Sequence, residues 1–260
     1  MNMDILIIPL AALLASLLTL FSGFGLGTLL MPVVAIFFPM EVAIGITAMV
    51  HFANNLFKLV LLGRQADIGV VARFGIPAVA AALLGAVLLG WLADLSPLHE
   101  YPIMGSMAQV TPVKLIIGSL IPVFVVLEFL PSFKQLRFGQ ELLPLGGLVS
   151  GFFGGLSGHQ GAFRSMFLLK SGLDKEAFIA TGVVLAVLVD MTRLLVYGWE
   201  SSSLTANNID WMLVGITTLA AFTGAFVGKR LMKKMTIHSI QIAVSALLVV
   251  VALGLMAGIL

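Results

Sequence analysis

The sequence predicts an all-α polytopic membrane protein. It consists of two inverted-topology repeats, each a broken or re-entrant helical hairpin followed by three transmembrane helices. Three observations carry that expectation. Of 260 residues, 60% are hydrophobic and only 10% charged, and mean hydropathy is +1.14; soluble domains are about half apolar and about a quarter charged. Apolar stretches recur that match the roughly 20 residues needed to cross a bilayer core, and two further apolar regions break at glycine clusters. Short sequence matches also recur in the same order in the two halves.

The elements follow in chain order. Repeat one spans 1–133, with a hairpin at 5–38 and helices at 41–62, 69–93 and 112–130. Repeat two spans 134–260, with a hairpin at 140–172 and helices at 174–198, 208–230 and 237–260. Together they form a single membrane domain, and no separate soluble domain fits. The first hairpin breaks at "SGFG" and the second at "GGLSGHQG". Each broken region is long for one crossing and tight for two. Pro77, Pro122 and Pro144 are expected to mark kinks. The N-terminal stretch lacks the basic n-region of a signal peptide and reads as a retained first membrane segment.

Basic residues orient the bundle. Arg64 follows 41–62, Lys134 and Arg137 precede the second broken region, and Lys170 and Lys175 follow it. Arg230, Lys233 and Lys234 lie between the last two helices, whereas the loops 95–112 and 199–208 contain no Lys or Arg. Placing the basic loops in the cytoplasm satisfies the positive-inside rule and lets every full helix alternate. Each broken region then begins and ends on one side, and both termini lie outside a bacterial-type cytoplasmic (inner) membrane. Charge alone does not separate a turn within the membrane from a full double crossing.

Composition also excludes. Net charge is +2 and the basic residues sit singly or in small groups at segment ends, which marks topology rather than nucleic-acid binding. There is no cysteine, so disulfides and thiolate metal sites are ruled out. No cofactor or metal is expected. The partners expected are a small anionic substrate, the lipid bilayer and, from the small-residue faces, a second copy in a homodimer.

The repeat rests on "EVAIGIT" (41–47) against "KEAFIAT" (175–181), an offset that also aligns Gly27 with Gly161. "GAVLLGWL" (85–92) resembles "GAFVGKRL" (224–231), and "ADIG" (66–69) resembles "NIDW" (208–211). Inverted repeats of this kind typify secondary transporters, whose sites lie at the repeat interface near mid-membrane. The breaks "FSGFGLGTLLMP" (21–32) and "SGHQGAFRS" (157–165), with "AIGITAMVHFANN" (43–55), "GRQADIG" (63–69) and "AFIATG" (177–182), resemble the TauE/SafE family of sulfite exporters and 4-toluenesulfonate uptake transporters. The resemblance covers almost the whole chain. It implies transport of sulfur-containing anions such as sulfite, sulfoacetate, thiosulfate or related organosulfonates. "SGHQGAFRS" departs from the plainer glycine run usual in the family.

Candidate site residues come from the breaks and from polar groups at depth. A broken helix in a bilayer survives only where protein or water covers it, and the N-terminus of the next half-helix favours an anion. Ser22, Gly25 and Gly27 are candidates at the first break, and Ser157, Gly158, His159, Gln160 and Gly161 at the second. Arg164, in the returning arm, offers a bidentate fork for sulfonate oxygens, or is a topology charge. The glycines have a competing reading as helix-packing pairs such as Gly147/Gly151 and Gly151/Gly155. In 41–62, Thr47, His51, Asn54 and Lys58 share one helical face and Asn55 adjoins it. They read as one wall of a polar pathway or as an interhelical seam, with Lys58 snorkelling. Thr181 occupies the place of Thr47 in the second repeat. Asp190 and Arg193, three apart, are expected to pair, either structurally or with Asp190 carrying a coupling proton and Arg193 an anion. Glu128 reads as interfacial.

Two other classes compete. "GLSG" (155–158) matches the loop of rhomboid-like intramembrane serine proteases, which need a base beside Ser157; the only later histidine is His238 once His159 in the loop itself is set aside. A half-helix channel is the third reading, although the Asn-Pro-Ala signature of aquaporins is absent.

Overall fold

The computed structural model describes residues 3–22, 26–103, 106–130, 139–169, 171–199, 209–231 and 238–259. Gly25, Lys134, Arg137, Lys170, Lys233, Lys234 and most of the 199–208 loop lie outside the described residues, as do the side chains of Ser22, Glu128 and His238. The chain folds into ten described α-helices: α1 (Met3–Ser22), α2 (Leu26–Ala35), α3 (Met40–Leu62), α4 (Ile68–Ala93), α5 (Pro112–Phe129), α6 (Leu143–Ser157), α7 (Gly161–Leu168), α8 (Lys175–Trp199), α9 (Trp211–Leu231) and α10 (His238–Met256). Four of them contain spans long and apolar enough to cross a membrane: Val42–Leu61, Ile68–Ala93, Lys175–Trp199 and Trp211–Gly228.

Helix starts are set by local chemistry. The Asp67 carboxylate accepts from the Val70 amide at the head of α4. Asp210 does the same for Met212 and Leu213 at the head of α9. These satisfy donors that have no intrahelical acceptor. Thr111 caps α5 through Lys114 N–H, with Pro112 just inside. Pro144 sits in the first turn of α6 rather than at a kink, because proline there costs no backbone hydrogen bond. Pro77 and Pro122 do lie inside α4 and α5.

The fold is that of an all-α membrane protein, with one short β element that the sequence reading did not foresee. Residues of the 95–112 loop form an antiparallel hairpin, β1 (His99–Ile103) against β2 (Ser106–Val110). It is tied to the C-terminal end of α10 by Gln109 N–H donating to the Gly258 carbonyl at 3.1 Å. Tyr101 and Ile103 are half-buried beside exposed Glu100 and Pro102, a period of two that the apolar background hides.

Packing partners repeat under an exchange of the two halves. α4 packs on α6 and α1 on α9; α2 lies on α3 and α7 on α8; α9 touches α3 and α4 touches α8. α3 pairs with α8 and α5 with α10. Glycines set the closest of these contacts. A Cβ on Gly147, Gly151 or Gly155 would collide with the carbonyl oxygens of Phe74, Ala78 and Ala82 respectively. The numbers rise together, so α4 and α6 run parallel. Gly224 and Gly228 meet the backbone of Leu13 and Leu17 in the same parallel sense. By contrast, α5 and α10 are antiparallel, since Gly118 meets Ala252 and Met256 while Gln109 meets Gly258. For Gly147, Gly151 and Gly155 the packing reading therefore holds: small residues let backbones approach where lipid supplies no hydrophobic drive.

The second broken region is a hairpin. α6 ends at Gly158, which is left-handed (φ 79°), a conformation glycine adopts without a Cβ clash. α7 then folds back along α6. Gly146 lies against the Phe167 ring, and the Ser150 hydroxyl donates to the Gln160 carbonyl at 3.0 Å. Gln140 Nε2 donates to the Ser171 carbonyl at 2.8 Å, closing the open end. The 15 residues of α6 span about 22 Å at about 1.5 Å per residue, less than the roughly 30 Å of a hydrocarbon core. Outward-facing residues of α4, such as Ile68, Ile76, Leu84 and Trp91, are exposed and form a lipid-compatible face.

Candidate functional site

The two breaks meet. A Cβ on Gly27, in the first turn of α2, would lie 3.7 Å from the Gly158 carbonyl oxygen, 3.7 Å from Thr47 Cγ2 and 3.8 Å from the His51 ring. The start of α2, the tip of the second hairpin and the centre of α3 therefore share one location. The long arms end at Ser22 and Ser157, and the short arms α2 and α7 begin at Leu26 and Gly161 beside that point.

Asp190 is the hub. Its side chain is fully buried, and its carboxylate is met by three hydrogen-bonding side chains and by the Arg193 guanidinium as an ion pair. Oδ2 lies 2.6 Å from His51 Nδ1 and accepts from Asn55 Nδ2 at 3.1 Å. Oδ1 accepts from Gln160 Nε2 at 3.1 Å and lies 2.9 Å from Arg193 Nη2. Gln160 bridges onward, its Oε1 accepting from Arg164 Nη1 at 3.2 Å. Only one amide orientation satisfies both ends of Gln160, since a carboxylate accepts and a guanidinium donates. The expected i,i+3 pair of Asp190 and Arg193 is thus formed. It is extended across α3, the hairpin tip and α7.

Arg193 is 1% exposed and lies flush against the break. A Cβ on Gly158 would stand 2.6 Å from its Nη1, so the absence of a side chain at Gly158 makes room for the guanidinium. Arg193 Nε and Nη2 and Thr47 Oγ1 are buried polar atoms with no hydrogen-bond partner among the described residues, Nη2 meeting Asp190 by charge alone. Such groups are costly to leave unmet.

The α3 stripe divides into two. His51 and Asn55, one turn apart, face Asp190. Asn54 and Lys58 face the other way, into α1 and α9. The Asn54 amide, oriented to satisfy its neighbours, accepts from Lys58 Nζ at 3.2 Å, donates to the Ala221 carbonyl at 3.3 Å, and sits 3.2 Å from Ser16 Oγ. Lys58 is buried, so it does not snorkel to the end of its helix. Thr181 is not brought to Asp190: nine residues earlier on α8, its hydroxyl accepts from the Asp67 amide at 2.9 Å and fixes the α3–α4 turn. Ser157 and His159 line the tip and are buried. Ser150, which anchors the Gln160 carbonyl, and Tyr197, whose hydroxyl donates to the Gly155 carbonyl at 2.7 Å, escaped the sequence reading. Both recur seven residues from named candidates, Ser157 and Asp190, and that spacing was the available signal.

The protease reading fails on proton placement. General-base chemistry at Ser157 requires an unprotonated histidine nitrogen facing the hydroxyl, and the histidine beside it is His159. His159 Nδ1 lies 3.0 Å from Ser157 Oγ but also 3.1 Å from the Ser157 carbonyl. A carbonyl only accepts, so Nδ1 carries the proton and is no base toward the hydroxyl. The Ser157 hydroxyl itself donates to the Phe153 carbonyl at 3.1 Å.

A multi-pass helical membrane protein in which the start of α2 and the tip between α6 and α7 meet over a buried charged cluster has the build of a transporter. The chain belongs to the sulfite exporter TauE/SafE family, whose model matches residues 8–255. That family consists of sulfite- and sulfonate-exporter-type membrane transporters, not enzymes. No curated protein and no solved structure matches the chain.

Proposed function

We propose that this chain moves small sulfur-containing oxyanions, such as sulfite, thiosulfate or an organosulfonate, across the cytoplasmic membrane by alternating access. The anion sits between the starts of α2 and α7. The observation that carries this reading is a surplus of positive charge in the interior. Arg193 is buried and Arg164 half-buried around Asp190, the one carboxylate in their cluster among the described residues, and Lys58 is buried on the other side of α3. A charge at that depth costs at least about 2.5 kcal/mol on insertion scales, and an anion offsets part of that cost. The first amides of α7 add donors, because the Gln160 side chain does not cap them and the helix dipole favours negative charge there.

Inverted repeats supply the rocking motion. The pairs that map onto themselves under the exchange of halves support this reading. α5 and α10 are antiparallel, as are α3 and α8, with His51 meeting Asp190 while Asp67 beyond α3 meets Thr181. A two-fold axis relating antiparallel helices lies across them, in the membrane plane. The second hairpin is re-entrant on this reading, since α6 is too short to cross.

Thermal stabilisation of the purified protein by a panel of sulfite, thiosulfate, sulfonates and carboxylates tests the proposal. At least one sulfur oxyanion should raise the melting temperature, and Arg164→Gln should weaken that rise. Absence of stabilisation by every anion overturns the reading.

A further inference from the structure

The coordination of Asp190 is that of a bound oxyanion. Its carboxylate takes hydrogen bonds from α3 (His51, Asn55) and from the hairpin tip (Gln160), and an ion pair from α8 (Arg193). Planar guanidinium, amide and imidazole donors converging from separate elements are what a sulfonate or sulfite group requires. The position is already filled, and by a group belonging to the protein.

We propose that Asp190 is a tethered occupant of the oxyanion site, holding in this state the donors that a substrate oxyanion takes in the loaded state. The inference rests on the transport reading above and specifies how its site is emptied and filled. Two anions sharing Arg193 repel each other, so the substrate enters only when the negative charge of Asp190 is cancelled. One proton taken up by the His51–Asp190 pair does this. The two groups are 2.6 Å apart and titrate as a unit. Each monoanion bound then brings one proton, and the pair moves across without net charge. When the anion leaves, the proton leaves and the carboxylate closes onto its donors again.

The groups facing Asp190 are few. α3 contributes His51, while its Lys58 turns toward α1 and α9; α7 contributes Arg164 through Gln160; α8 itself contributes Arg193. The hairpin tip adds His159. α6 carries no titratable side chain, and the one on α4, Arg73, donates to Gln140 near the start of that helix. Gln160 has a particular place in this scheme. Its amide joins the carboxylate to Arg164, so release of Asp190 frees the tip donor and Arg164 together.

The test uses the full chain in detergent or nanodiscs with 4-toluenesulfonate, which stays a monoanion throughout the range studied. Binding is measured between about pH 5.5 and 8, and proton uptake is read by calorimetry in buffers of different ionisation enthalpy. The wild type should take up one proton per anion bound, and affinity should fall by up to about tenfold per pH unit where that uptake is complete. Asp190→Asn, which keeps size and removes the charge, should bind more tightly at the alkaline end with little pH dependence. Wild-type binding with no proton uptake overturns the inference while leaving the transport reading intact. So does an Asp190→Asn variant as pH-dependent as the wild type. The uptake measurement needs no variant, so misfolding of Asp190→Asn leaves the inference open to refutation. Absence of binding at every pH removes both this inference and the transport reading.

Discussion

Gly158→Ala is a single-atom perturbation with two separable costs. The first is conformational: φ is 79°, and an L-residue in the left-handed region loses about 1–2 kcal/mol. The second is steric. The new Cβ would stand 2.6 Å from Arg193 Nη1, so the guanidinium must move off the break and stretch its 2.9 Å pairing with Asp190. Forcing one extra carbon into a packed interior costs about 1–3 kcal/mol. The sum is roughly 2–5 kcal/mol. Gly172 supplies the control, with φ 83° and nothing within 4 Å of an added Cβ. Gly172→Ala should therefore show only the first cost, about 1–2 kcal/mol. Thermal unfolding of both variants, with anion binding measured beside it, reads the difference. At about 2–4 °C per kcal/mol for a chain of this size, Gly158→Ala should melt several degrees below Gly172→Ala and lose anion affinity. A Gly158→Ala protein that melts and binds like Gly172→Ala would refute the placement of Arg193 against the break.

Gln160→Leu removes the bridge between Asp190 and Arg164 and should lower stability by about 1.5–3 kcal/mol, the range for hydrogen bonds to charged groups, as read by a thermal melt. Thr181→Val removes the acceptor of the Asp67 amide and should cost about 0.5–1.5 kcal/mol while leaving anion affinity unchanged, because Thr181 holds the α3–α4 turn and not the site. Gly151→Val, colliding with the Ala78 backbone, should abolish monodisperse protein on gel filtration, whereas Gly45→Ala, with open space around it, should match or exceed wild-type stability by up to about 1 kcal/mol. Ser157→Ala should retain anion binding, and a fluorophosphonate should fail to label the wild-type serine; labelling would revive nucleophilic chemistry at the tip.

Much of this molecule is determined by sequence alone. Apolar runs long enough to cross a bilayer place α3, α4, α8 and α9 within a few residues of their observed ends, because a membrane admits little but helices. The glycine clusters mark both breaks, and the Asp190–Arg193 spacing foretells their pairing. Tertiary structure decided the rest. Gly151 and Gly158 are both glycines in one segment, yet one seats a helix and the other admits an arginine; only the neighbour across the gap distinguishes them. Asn54 and Asn55 are adjacent, and helical geometry sends one toward Lys58 and the other toward Asp190. Thr47 and Thr181 end the similar stretches "EVAIGIT" and "KEAFIAT", yet one borders Gly27 while the other takes a backbone amide from the turn before α4. The physical reason is common to all three cases. Local sequence fixes which direction a side chain points from its own helix, but what it meets depends on residues far away along the chain. In the bilayer interior, that partner determines whether a polar group is a strut or part of a site.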